Sequence, residues 1–120
     1  MTHPIVWFEL ASDDTAGAKR FYQEMFRWKI EDMDGYGMVK VNVAKEFGAG
    51  IKANPGRGHV PSHWAPFVGV EDVKTATKKA VKLGAKVIHD AQQTPWGIVS
   101  TVLDPTGAPL NLWQAKPEKK

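Results

Sequence analysis

Ile98-Val99-Ser100-Thr101-Val102-Leu103, then Asp104-Pro105-Thr106-Gly107, then Ala108-Pro109-Leu110-Asn111-Leu112-Trp113 is the stretch that decides the fold. Two apolar runs flank four turn formers, which predicts a strand, a tight turn and a final strand. Pro105 presets φ for the first central position of the turn, and Gly107 tolerates a positive φ. Along the final strand the period of two puts Leu110 and Leu112 on one face and Asn111 and Trp113 on the other. Asn111 is the informative residue.

Upstream, the chain reads as two halves with the same order of elements. Ile5 to Ala11 alternates as a strand, Asp13 or Asp14 offers an N-cap, and Ala18, Phe21, Tyr22 and Met25 recur at helical spacing over Thr15 to Arg27. Short strands are expected around Trp28 to Asp32, Gly37 to Val43 and Gly48 to Lys52. The second half repeats this with a strand over Ala65 to Val70, Asp72 as cap, a stripe of Val73, Ala76, Ala80 and Leu83, and Gly84 at the left-handed position that ends a helix. Strands near Lys86 to His89, Ile98 to Leu103 and Ala108 to Gln114 complete it. The pairs Asp14 and Asp72, Ala18 and Ala76, Met25 and Leu83, and Ile30 and Ile88 are each 58 apart. Two βαβββ units follow from that offset, about 4–53 and about 65–114, joined by a crossover at about 54–64 and trailed by a polar tail at 115–120.

The bulk numbers bound the rest. With 120 residues the chain fits a single domain. It has no cysteine, which excludes disulfides, thiolate metal sites and cysteine nucleophiles and fits a reducing, cytoplasmic setting. No apolar stretch is long enough for a membrane span, so no membrane partner is expected. The net charge of +3 and pI near 9.2 raise the question of nucleic acid. Lys74, Lys78, Lys79, Lys82 and Lys86 lie on or beside one helix, and Lys116, Lys119 and Lys120 lie in the tail. No aromatic residues interleave with them to stack bases, so no nucleic-acid partner is expected either.

The opening strand with Asp14, Ala18 and Phe21-Tyr22, the run Val70-Glu71-Asp72-Val73 leading to Leu83-Gly84-Ala85-Lys86-Val87, and Asp104-Pro105-Thr106-Gly107 before the last strand resemble, in this order and spacing, the vicinal oxygen chelate superfamily of glyoxalase I, bleomycin-resistance protein and extradiol dioxygenase. The resemblance implies an α+β fold in which two βαβββ units form a curved mixed sheet around a concave pocket, with helices outside. It also implies four metal-ligand positions. They fall at Trp7, Ala65, Asn111 and a place near Gly50 to Ala53 where Lys52 is the polar side chain, and none of these supplies the expected carboxylate or imidazole. No metal and no other cofactor are therefore expected. His3, His59, His63 and His89 do not form an evident replacement set.

If those positions face inward, alternation lines the pocket with Ile5, Trp7 and Glu9, with Ala65, Phe67 and Gly69, and with Asn111 and Trp113. Ligand-binding candidates are thus Trp7, Glu9, Lys52, His63, Phe67, Asn111 and Trp113. Glu9 has two readings, a binding or general-base carboxylate, or an ion-pair partner of a cation such as Lys52. Trp28 suits a core, Trp113 a core or a dimer interface, and Trp64 and Trp96 a lid or partner surface. The expected function is binding of a small aromatic or partly apolar molecule in a metal-free pocket by a homodimer. The alternative is a lyase, isomerase or dioxygenase-type enzyme with displaced metal ligands or with Glu9 as base.

Overall fold

The computed structural model describes residues 2–33, 36–40 and 48–116, and divides them into a unit of Trp7–Ala65 and a unit made of the residues up to Val6 with those from Pro66 onward. In the first, β1 (Ile5–Ser12) runs into α1 (Thr15–Phe26), followed by β2 (Lys29–Met33), β3 (Tyr36–Lys40) and β4 (Gly48–Ala53). The Asp14 carboxylate caps α1 by accepting the Gly17 N–H at 2.9 Å. The strand order is β2-β3-β4-β1, antiparallel except that β4 and β1 are parallel, with Glu9 opposite Gly50. On the helix side Leu10, Val39, Ala49 and Ile51 form a buried cluster against Ala18, Tyr22, Trp28 and Ile30.

The second unit follows the same plan with β5 (His63–Gly69), α2 (Val73–Lys82), β6 (Lys86–Thr94), β7 (Gly97–Leu103) and β8 (Pro109–Ala115) in the order β5-β8-β7-β6. Again the first and last strands are parallel, here with Phe67 opposite Asn111. Asp72 caps α2 through Lys74 N, and Gly84 takes φ +101° just beyond its end. Val70, Val73, Val102 and Leu112 make the core under α2. Beneath the helix, Thr77 Oγ1 bonds the Val73 carbonyl at 2.6 Å and shares a bond with Ser100 Oγ at 3.0 Å. The hairpin that opened the sequence reading is present: Asp104 Oδ1 accepts from Thr106 N at 2.8 Å and Ala108 N at 3.0 Å, and Gly107 has φ +96°.

The fold is thus α+β, with two βαβββ units. β5 and α2 begin 58 residues after β1 and α1, as the sequence landmarks do. β7 and β8 begin 61 residues after β3 and β4, because β6 starts 57 residues after β2 and is four residues longer. The crossover is organised by Asn54, whose amide nitrogen donates to Asp13 Oδ1 at 3.1 Å and to the Val60 carbonyl at 2.7 Å while its oxygen accepts from Gly56 N. No helix among the described residues is long and apolar enough to cross a membrane.

Several local expectations need correction. Met25 and Leu83 are 62% and 68% exposed, and Phe21 is exposed as well, although each belongs to an apolar stripe. The helices rest on other members of those stripes: Ala18 and Tyr22 meet the first core, and Val73 and Ala76, joined by the polar Thr77, the second. Phe8, which alternation places on the face of β1 opposite Trp7 and Glu9, is 51% exposed, because α1 covers the sheet around Leu10 rather than Phe8. β5 begins two residues before Ala65, which puts His63 and Trp64 inside the strand, and β6 runs past His89 to Thr94 through two register shifts. Residues 41–43 of the expected third strand, and Lys119 and Lys120, lie outside the described residues.

Candidate functional site

Alternation on three neighbouring strands assembles one face in the first unit, on the side of the sheet away from α1. β1 contributes Trp7 and Glu9, β4 contributes Gly48, Gly50 and Lys52, and β3 contributes Tyr36 and Met38, since Met38 stands opposite Gly50. Two glycines make this face possible. A Cβ on Gly48 would lie 3.2 Å from the Trp7 ring, and one on Gly50 would collide with the Tyr36 ring and hydroxyl. The indole and the phenol therefore lie where β4 has no side chains.

The polar atoms form a chain. Trp7 Nε1 donates to the Tyr36 hydroxyl at 3.0 Å, and that hydroxyl donates its own proton to Glu9. Burial, and next the charge of Glu9, push the Tyr36 phenol well above its ordinary pKa, outweighing the opposing effect of the Trp7 bond. The phenol thus stays protonated as a hydrogen-bond donor. Glu9 is only 3% exposed, and Lys52 Nζ lies 2.9 Å from its Oε1. The angle of that approach falls outside hydrogen-bond geometry and Oε1 has no directed partner, so the contact is an ion pair held by charge rather than by direction. Glu9 thus makes the ion pair with Lys52 that one of its two readings expected.

The corresponding face of the second unit is chemically different. Phe67 and Trp113 meet edge to face, with ring centroids 5.9 Å apart, and buried Asn111 accepts a 2.7 Å bond from Thr101 Oγ1 through its amide oxygen. His63 belongs to neither constellation. Its Nδ1 contacts the Pro61 carbonyl at 2.7 Å, a bond within its own turn. Trp64 donates to the Tyr22 hydroxyl at 3.0 Å and joins a ring cluster with Phe26 and Trp28 on the α1 side, so it is an aromatic strut of the first unit. Tyr36 is the residue that sequence reasoning missed. It falls just outside the strand expected from Gly37, and its role emerges only when β3 is set against Gly50.

Register also locates the fourth position implied by the superfamily resemblance. Glu9 faces Gly50 as Phe67, 58 residues later, faces Asn111, so Gly50 is the first-half counterpart of Asn111. The four implied positions thus offer an indole at Trp7, a methyl at Ala65, a glycine at Gly50 whose space a phenol fills, and at Asn111 an amide oxygen already bonded to Thr101. Among the described residues no group of three or more His, Asp, Glu or Cys is placed to hold a metal. These residues do not fit the ion.

A family model described as a glyoxalase-like domain matches residues 7–113. The chain belongs to the glyoxalase-like domain family. It is 32% identical over 117 residues to CFP32 of Mycobacterium bovis, whose name places it provisionally among the glyoxylases; the match covers 91% of this chain and 44% of that protein. It is 31% identical over 108 residues to the anthracycline biosynthesis protein DauV of Streptomyces sp. (strain C5), covering 88% of this chain and 39% of that one. This glyoxalase-like chain therefore spans less than half the length of the curated relatives it matches. Among solved structures, the Mn(II)-bound glyoxalase from Novosphingobium aromaticivorans superposes with a TM-score of 0.57 at 15% identity, over 97% of this chain and 42% of that chain, which is a likeness of fold.

Proposed function

We propose that this glyoxalase-like chain binds a small aromatic or partly apolar molecule without a resident metal ion. The observation that carries the reading is the Trp7, Tyr36, Glu9 and Lys52 network standing at Gly50, where the superfamily pattern would put a metal-binding carboxylate. Aromatic rings with a few placed polar groups are the usual lining of a small-molecule site. Phe67, Trp113 and Asn111 offer the same combination in the second unit. A catalytic reading with Glu9 as general base has less support, because the carboxylate is already engaged by a cation and a phenol. The proposal includes a homodimer, by analogy with the modular pairing of the superfamily, and a cytoplasmic setting, which rests on the cysteine-free composition.

Native mass spectrometry of the purified protein tests this directly, since it reports subunit number, bound metal and retained ligand together. A dimer carrying a retained organic molecule or open to one, and free of transition metal, is expected. Stoichiometric zinc, iron, nickel or manganese would overturn the metal-free reading.

A further inference from the structure

The ion pair of the first unit is asymmetric. The Glu9 side chain is 4% exposed and the Lys52 side chain 26%, so the negative end is sealed in the sheet and the positive end reaches solvent. A lysine ammonium has three donors and acts as a compact point charge. An anion meeting Nζ from the solvent side, at about 2.8 Å, would have the Glu9 carboxylate at roughly twice that distance, so attraction exceeds repulsion by about a factor of two. A cation approaching Glu9 would meet Lys52 first. Trp7 and Tyr36 flank the pair on the same sheet face, their rings seated over Gly48 and Gly50.

From this we propose that the ligand is an aromatic anion, anchored by a carboxylate or by an enolate or phenolate oxygen on Lys52, with its ring against Trp7 and Tyr36. The proposal rests on the small-molecule reading above. Lys52 thereby supplies the positive charge that the missing metal would bring, but as a binding group that does not activate water. Glu9 positions it from below.

Three probes sharing one ring system test the idea: naphthoate, naphthamide and naphthylmethylamine, titrated at neutral pH and followed by tryptophan fluorescence. Naphthoate is expected to bind about tenfold more tightly than naphthamide, the scale of one charge-assisted hydrogen bond. Naphthylmethylamine is expected to bind most weakly, and added salt should narrow the gap. Lys52→Arg should keep the preference. Because Lys52→Met alone strands a buried carboxylate, the decisive variant is Glu9→Gln with Lys52→Met, its folding checked by urea denaturation. In it naphthoate and naphthamide should bind equally. Equal binding of those two by the wild type, or a preference that survives in the double variant, would overturn the anionic anchor while leaving the binding function standing. If none of the three binds, the small-molecule reading fails and this inference fails with it.

Discussion

Gly50→Ala isolates the steric logic of the site. Gly50 lies in a strand and is not among the glycines with positive φ, so alanine suits its backbone, and propensity alone would make the change stabilising by about 0.5–1 kcal/mol. The Tyr36 ring reverses the sign. The new Cβ would overlap the phenol, and the ring must move away, losing its bond from Trp7 and its bond to Glu9. Overpacking costs about 1–3 kcal/mol, and each lost hydrogen bond a further 1 kcal/mol or so. Net of the propensity gain, a destabilisation of about 2–4 kcal/mol is expected, measured as a fall in urea midpoint at constant m. Tyr36→Ala vacates the space, so in that background Gly50→Ala should become nearly neutral, with a coupling energy of about 2–4 kcal/mol between the two sites. A Gly50→Ala variant as stable as wild type, or one whose cost adds fully to that of Tyr36→Ala, would refute the account of Gly50 as the seat of the phenol.

Three further outcomes follow from the same geometry. Thr101→Val keeps the shape but removes the donor to the buried Asn111 oxygen and should cost about 1–3 kcal/mol in urea denaturation, whereas a loss below about 0.5 kcal/mol would mean that another donor serves that oxygen. Lys52→Met leaves Glu9 charged and buried and should cost about 3 kcal/mol, most of it recovered when Glu9→Gln is added, and equal stability of the single and double variants would disprove the pairing. The Asp104 carboxyl is held below its ordinary value, chiefly by the Thr106 hydroxyl and then by the backbone N–H groups of the turn. A depressed folded value gives stability that is full above the ordinary aspartate value of 3.8 and is lost as pH falls through the folded value. Asp104→Asn should therefore be the less stable protein at neutral pH and should approach wild type on acidification; parallel curves down to about pH 2 would contradict this.

Most of the architecture was legible because its signals are local. The caps at Asp14 and Asp72, the glycine after α2 and the Asp104 to Gly107 turn each act within four residues of themselves. The repetition of Asp14, Ala18, Met25 and Ile30 as Asp72, Ala76, Leu83 and Ile88, each 58 residues on, carried the double βαβββ plan. Burial was less legible. Met25, Leu83 and Phe8 all satisfy an apolar period, yet whether an apolar face is covered depends on where its helix rests, and that depends on partners distant in sequence.

By itself, then, the sequence determined the order of the elements, the family resemblance and the residue types, Trp7, Ala65 and Asn111, that stand at positions this resemblance assigns to metal ligands. These are properties of residue type and spacing along one dimension. Tertiary structure alone decided that Glu9 is sealed against Lys52, that Gly50 is the counterpart of Asn111, and that Tyr36 fills the room this glycine leaves. The physical reason is strand register. Tyr36, Glu9 and Gly50 belong to three separate strands, and their steric and electrostatic relation exists only once those strands are hydrogen-bonded side by side.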